Sequence, residues 1–130
     1  MKQKMYILIL VIVTGILLTS NCGLLKKSPS ETVKAAYMAA NKGDYSEAER
    51  YLSSEAINTM KGIGALGGGT KGIWDRNTRN GTIEKIEILN EDIRGEGATV
   101  LIKIHFKDGS TTDSTEPLIQ ENGSWKLTVG

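Results

Sequence analysis

The sequence predicts an α+β domain in which helices near the N-terminus pack on a four-stranded antiparallel meander. Apolar residues recur at spacings of three and four between residues 29 and 60, which indicates amphipathic helices. From residue 83 onward the apolar period changes to two, which is typical of strands with one buried face. Asp108-Gly109 and Asn122-Gly123 are typical of tight hairpin turns. A helical segment followed by hairpins indicates the α+β class.

The helical half contains short helices with recognisable starts. Ser28-Pro29-Ser30-Glu31 forms a capping-box pattern with proline at the first helical position, and Gly43 is expected to end this first helix. Asp44 is expected to begin a second helix, because its side chain can accept a hydrogen bond from a free N–H. Ser53 or Ser54 is expected to cap a third helix in the same way.

Residues 62–72 are rich in glycine and match a phosphate-binding loop only in part. Gly64 and Gly69 have the four-residue gap of that loop, but Thr70-Lys71 follow in the wrong order for its lysine and hydroxyl roles. Such a loop also leaves a strand, whereas this segment leaves a helix. It is interpreted as a connection between helices, followed by a short helix or turn that carries Trp74.

The clearest strand alternates apolar residues with mostly polar ones, and its apolar members are Ala98, Val100, Ile102, Ile104 and Phe106. A strand before it is marked by Ile83, Ile86 and Ile88. The strand after it is harder to place. A two-residue turn at Asp108-Gly109 puts Asp113 on the apolar face, whereas a two-residue turn at Asn122-Gly123 puts Leu118 there.

Asp113 and Leu118 cannot both face inward on one regular strand, because successive side chains alternate between its two faces. Two solutions stay open. Either a β-bulge or break lies between Asp113 and Pro117, or the first hairpin has a longer loop.

Residues 1–21 have the composition of an export signal. Lys2 and Lys4 precede an uncharged stretch, of which residues 6–18 are almost entirely apolar. As a helix these 13 residues would rise about 20 Å, and a bilayer core is about 30 Å thick. The segment is therefore predicted to be a signal-peptide helix, with a transmembrane anchor as the alternative.

Leu18-Thr19-Ser20-Asn21-Cys22-Gly23 resembles the lipobox of bacterial lipoproteins, although Asn21 stands where that family usually has Gly, Ala or Ser. The resemblance implies cleavage before Cys22 and acylation of its sulfur, so that membrane lipid is the partner of Cys22. The protein is then expected in the cell envelope, on the outer face of the cytoplasmic membrane or on an outer membrane. Alternatively, Cys22 is an incidental thiol near an ordinary cleavage site.

The expected organisation is therefore a signal peptide at 1–21, a lipidated tether at 22–27 and one α+β domain at 28–130. Four short motifs extend the resemblance, namely residues 28–33, 41–45, 107–109 and 121–127. They are similar to those of small bacterial lipoproteins with an uncharacterised domain like nuclear transport factor 2 and the cystatin-like superfamily. The resemblance implies a cone-like fold in which a curved sheet wraps a long helix and leaves a hollow. It implies no single activity, because this superfamily includes isomerases, dehydratases and non-catalytic binding proteins.

Composition excludes several function classes. The 16 basic and 15 acidic residues give a net charge of +1, which does not favour a nucleic-acid partner. One cysteine and one histidine cannot supply an internal disulfide or the usual structural zinc site, so neither a metal nor a cofactor is expected. His105 falls on the polar strand face and is interpreted as a solvated strand residue.

The favoured function is that of a lipid-anchored, non-catalytic domain that presents its hollow or sheet face to a small molecule or a protein. The candidate pocket residues are Tyr37, Trp74, Phe106, Asp113 and Trp125. A structural or assembly role in a cell-envelope complex is one alternative. An isomerase-like enzyme is another, with Asp113 as general base, because burial in a hollow raises the pKa of a carboxyl group.

Overall fold

The computed structural model describes residues 26–64 and 68–130. In these two ranges, four helices precede an antiparallel sheet with strand order β1-β2-β3-β4, and the α+β meander is confirmed. The helices are α1 (Pro29–Asn41), α2 (Tyr45–Glu49), α3 (Ser54–Gly64) and α4 (Gly69–Thr78), and the strands are β1 (Ile83–Arg94), β2 (Gly97–Phe106), β3 (Thr111–Glu121) and β4 (Ser124–Leu127). The predicted signal peptide and Cys22 lie outside the described residues. Within those residues, no helix has the length and apolar character needed to cross a bilayer.

The predicted helix starts are confirmed. At α1 the Ser28 Oγ accepts a hydrogen bond from the Glu31 N–H at 3.2 Å, and the Glu31 carboxylate accepts one from the Ser28 N–H at 2.8 Å. Gly43 follows the C-cap residue Lys42 of α1 and adopts a φ of 81°, a left-handed conformation that favours glycine. Asp44 then caps α2 by accepting from the Glu47 N–H at 3.1 Å.

The link between α2 and α3 joins the helices to the sheet. Ser53 is the cap of α3, since its Oγ accepts a hydrogen bond from the Ala56 N–H at 3.0 Å. The neighbouring Leu52 pairs in parallel with Leu127 of β4. In this pairing the Ser53 N–H donates to the Leu127 carbonyl at 2.7 Å, and the Leu127 N–H donates to the Tyr51 carbonyl at 2.8 Å. The backbone of this link therefore lies along the edge of β4.

One hydrophobic core joins α1 to the sheet. Helix α1 contacts β1, β2 and β4, and it contributes Val33, Ala36, Tyr37 and Ala40 to the buried cluster. The alternation predicted for β2 is confirmed, because its five apolar residues are all buried in the same cluster: Ala98, Val100, Ile102, Ile104 and Phe106.

The β2–β3 hairpin has a three-residue loop. The Phe106 N–H donates to the Ser110 carbonyl and the Gly109 N–H donates to the Phe106 carbonyl, both at 2.9 Å. Val100 is therefore paired with Glu116, and the register continues without a break along β3. The bulge predicted between residues 113 and 117 is wrong, and the alternative of a longer first loop is confirmed.

The irregularities of the sheet lie in β1 instead. The register between β1 and β2 shifts once between Ile83 and Lys85 and again between Ile88 and Asn90. Each shift adds one unpaired residue to β1, and such bulges bend a strand and increase its twist. The first shift explains why Ile83 and Ile86 are both buried although they are three residues apart.

Candidate binding cavity

A half-buried polar group occupies the inner face of β3. Ser114 and Glu116 are two residues apart and share that face, next to Tyr37 of α1. The Tyr37 hydroxyl donates a hydrogen bond to Glu116 Oε1 at 2.8 Å, and the Ser114 hydroxyl donates to the same oxygen at 2.6 Å. Two hydroxyl groups, one from the helix and one from the strand, therefore hold this carboxylate.

Glu116 and Tyr37 line a cavity of about 260 Å³ between the helices and the sheet. Most of its other lining residues are apolar: Leu52, Ala56, Met60, Ile63, Ile73, Trp74, Leu127 and Val129. The uncharged polar residues are Thr59, Asn77 and Thr128. Within the described part of the chain, Glu116 is the one charged residue in this lining. The cavity therefore combines an apolar wall with one fixed carboxylate.

Tyr37 and Trp74 form the aromatic part of the wall. Their rings meet edge to face, with centroids 5.6 Å apart and an interplanar angle of 84°. Burial raises the pKa of the Tyr37 hydroxyl, and the negative charge of Glu116 and the hydrogen bond to it raise the pKa further. Tyr37 therefore remains protonated at neutral pH and acts as a hydrogen-bond donor. Trp74 is only 3% exposed, and its Nε1 has no partner among the described residues.

The five candidate pocket residues do not converge on one site. Tyr37 and Trp74 line the same cavity, as the sequence suggested. Phe106 lies in the core and lines an adjacent cavity of about 240 Å³, together with Tyr37 and Asp113. Trp125 lines a separate cavity of about 130 Å³, next to Tyr51.

Asp113 does not face the hollow of the sheet, and its predicted inward orientation is wrong. It pairs with Lys103 on the outer face, where their charged atoms are 3.7 Å apart and the Asp113 side chain is 58% exposed. The three-residue loop moves every β3 side chain to the face opposite that given by a two-residue turn. Ser114 and Glu116 consequently take the inward positions. The alternative of a longer first loop predicts this orientation of Ser114 and Glu116, because it turns the even-numbered residues of β3 inward.

His105 lies on the outer face, as its polar alternation indicated. Its Nε2 is 2.7 Å from Glu87 Oε2 on the neighbouring strand β1. The Glu87–His105 hydrogen bond holds the pKa of the Glu87 carboxyl below its usual range. In residues 26–64 and 68–130, no three His, Cys, Asp or Glu side chains form a group that could hold a metal ion.

The family model described as Domain of unknown function (DUF4878) matches residues 20–128. The chain belongs to the DUF4878 family. The match spans all of the described helices and strands up to and including β4. A comparison with curated proteins finds no match.

Solved structures show the fold of this DUF4878 domain. A Campylobacter jejuni protein described as an NTF2-like transpeptidase has 14% identity and a TM-score of 0.63, over 80% of this chain and 100% of that one. An NTF2-like protein of unknown function from Shewanella baltica has 20% identity and a TM-score of 0.54, over 77% and 86% of the two chains. The expected likeness to nuclear transport factor 2 is confirmed. At these identities the comparison shows the fold alone.

Proposed function

We propose that this protein is a membrane-anchored bacterial lipoprotein whose DUF4878 domain binds a small, mainly apolar molecule without transforming it. The observation that carries the proposal is the cavity between α3, α4 and the sheet, whose lining is mainly apolar and includes one charged group among the described residues. Small-molecule sites have this composition, and they usually occupy about 300–1,000 Å³. A cavity of about 260 Å³ lies just below this range and therefore favours a small ligand.

The arrangement of polar groups favours binding over catalysis. A general base usually works with a second group that stabilises the charge developing on the substrate. Among the described residues of this cavity no second charged group accompanies Glu116, and Tyr37 remains protonated at neutral pH. The isomerase-like alternative relied on Asp113, which faces outward.

Membrane attachment is proposed from the lipobox-like residues that end at Cys22. Several acyl chains on one cysteine would hold the domain firmly, because each buried CH₂ contributes about 0.8 kcal/mol. In a bacterial host, the full chain should enter the membrane fraction, lose residues 1–21 and gain the mass of attached lipid. A Cys22→Ala variant should stay unprocessed or leave the membrane, whereas Ser20→Ala serves as the control and should behave like wild type.

Mass spectrometry of detergent-extracted protein distinguishes these states. An unmodified Cys22 with Met1 still attached would contradict the anchor. Membrane-bound and processed Cys22→Ala protein would contradict it as well.

The binding activity can be tested with benzyl alcohol, a small and mainly apolar probe. Trp74 lines the cavity and Trp125 lies elsewhere, and these are the only two tryptophans in the sequence. Titration should shift the indole N–H resonance of Trp74 until it saturates, while that of Trp125 stays constant. A Met60→Trp variant should fill the cavity and abolish the saturable shift of Trp74. A non-saturable change, or equal changes at both indoles, would contradict the proposal.

A further inference from the structure

We propose that the cavity lined by Glu116 selects a small organic cation, namely a protonated amine carried on an apolar body. This inference rests on the proposed binding function of the same cavity and adds the chemical class of the ligand. It is carried by the geometry of Glu116 and by the charges of the residues around it.

Glu116 has an unused acceptor that a ligand can reach. Both hydroxyl groups that contact it, those of Tyr37 and Ser114, donate to Oε1. Among the described residues no hydrogen bond or ion pair is formed with Oε2. An ionised carboxylate only accepts hydrogen bonds and has about four lone-pair sites, so Oε2 can accept further donors. The two hydroxyls fix the orientation of the carboxylate before a ligand binds.

The charge of Glu116 has no counterpart in the lining of this cavity. None of the described lining residues is Lys, Arg or His. Arg76 and Arg79 line the adjacent cavity instead, where Arg79 stacks on the Phe106 ring at 3.8 Å. A carboxylate in apolar surroundings is stabilised by a cation and repels an anion. The cavity therefore favours a positively charged polar group on the ligand.

The wall around Glu116 suits the rest of such a ligand. Tyr37 and Trp74 offer aromatic rings, whose faces attract cations within about 6 Å. Leu52, Met60 and Ile73 provide apolar surface for a hydrocarbon body. With about 260 Å³ available, a single ring or a short chain fits better than a long acyl tail.

Three probes of one shape test this selection: benzylammonium, benzyl alcohol and benzoate at neutral pH. Each is titrated into the detergent-extracted protein, and the Trp74 indole resonance gives its dissociation constant. A Trp125→Phe variant assigns the two indole signals. Benzylammonium should bind at least about tenfold more tightly than benzyl alcohol, in line with the greater strength of hydrogen bonds to charged groups. Benzoate should show no saturable binding.

A Glu116→Gln variant keeps an oxygen that accepts from Tyr37 and Ser114 but removes the charge. It should bind benzylammonium and benzyl alcohol with equal affinity. The matched control is Asp113→Asn, which removes the charge of a nearby carboxylate on the opposite face and should leave the preference unchanged. Retention of the amine preference by Glu116→Gln would overturn the assignment to Glu116.

The probes also separate this inference from the proposed function. Equal binding of benzylammonium and benzyl alcohol to the wild type would overturn the cation selection and leave apolar binding intact. Failure of every probe to bind would overturn both. If Glu116→Gln does not fold, the three affinities measured on the wild type still decide the selection.

Discussion

Asn41, the last residue of α1, links that helix to the first strand through its side-chain amide. Its Nδ2 donates to the Ile83 carbonyl at 3.1 Å, and its Oδ1 accepts from the Ile83 N–H at 3.0 Å. Ile83 begins β1 and is only 2% exposed. The amide therefore pairs both backbone groups of a buried residue, as a neighbouring strand would. We expect these two hydrogen bonds of the Asn41 side chain to make a large contribution to the stability of the fold.

The free-energy cost of removing the Asn41 side chain follows from its two hydrogen bonds. A typical hydrogen bond contributes about 1 kcal/mol net, and a buried backbone group left unpaired costs about 1–3 kcal/mol. Asn41→Ala should thus lower the free energy of unfolding by about 2 kcal/mol. For a domain of about 100 residues this corresponds to a fall of roughly 10 °C in Tm. Asn41→Asp keeps the acceptor but directs an oxygen at the Ile83 carbonyl. It should therefore destabilise the protein at least as much as Asn41→Ala does.

Urea unfolding followed by tryptophan fluorescence measures these changes. The control is Asn90→Ala, an exposed asparagine of β1, whose effect should stay within about 0.5 kcal/mol. A loss below about 0.5 kcal/mol in Asn41→Ala would refute the reasoning. An Asn41→Asp protein more stable than Asn41→Ala would also refute it, since the lost donor would then be unimportant.

Three further predictions concern the backbone, the buried tyrosine and the outer face. Gly81→Ala and Gly43→Ala both introduce a side chain at positive φ, 83° and 81°, but only the Gly81 Cβ would lie 2.8 Å from a backbone oxygen of α1. Chemical denaturation should therefore show a loss at least about 1 kcal/mol larger for Gly81→Ala, and equal losses would contradict this. Because the pKa of Tyr37 is raised in the folded state, its stabilisation is complete below the ordinary tyrosine pKa of 10.0 and declines as pH rises above it. Tyr37→Phe should flatten that decline in urea midpoints, and an unchanged slope would contradict the assignment. Asp113→Asn should change the free energy of unfolding by less than about 0.5 kcal/mol, because its ion pair with Lys103 is long and exposed. A larger loss in thermal melts would indicate that this carboxylate is buried.

The features that the sequence predicts well are those set by local interactions. The capping box at Ser28 and the cap at Asp44 depend on residues three positions away, and the structure contains both. The alternation in β2 also predicts its buried face correctly, because apolar residues occupy all five positions on that face. Such short-range patterns require no knowledge of what lies across the sheet.

Hairpin register is less predictable, because one dipeptide suits two loop lengths. Asn122 and Gly123 both have positive φ, at 53° and 78°, as a two-residue type I′ turn requires. In Asp108-Gly109 only the glycine has positive φ, at 86°, which fits a three-residue loop with a bulge. Both dipeptides place glycine second, so composition alone cannot distinguish the two loop lengths.

This difference of one residue in the length of the β2–β3 loop determines which acidic side chain lies at the candidate site. It exchanged Asp113 for Glu116 on the inner face, and only the structure shows that Tyr37 and Ser114 hold the Glu116 carboxylate. The sequence also predicts Trp125 in the same hollow as Trp74, whereas the two side chains line separate cavities. Which aromatic residues share a cavity depends on helix packing, about which a single sequence carries little information.

The two edges of the sheet differ in how readily they could recruit another chain. The β4 edge is covered by the parallel pairing of Leu52 with Leu127, whereas the outer edge of β1 has no partner strand among the described residues. The bulges at Glu84 and Leu89 interrupt the even spacing of amides that an added strand would need. Deleting Leu89 would remove one of these two interruptions. The bulges therefore disfavour the addition of another strand along the β1 edge.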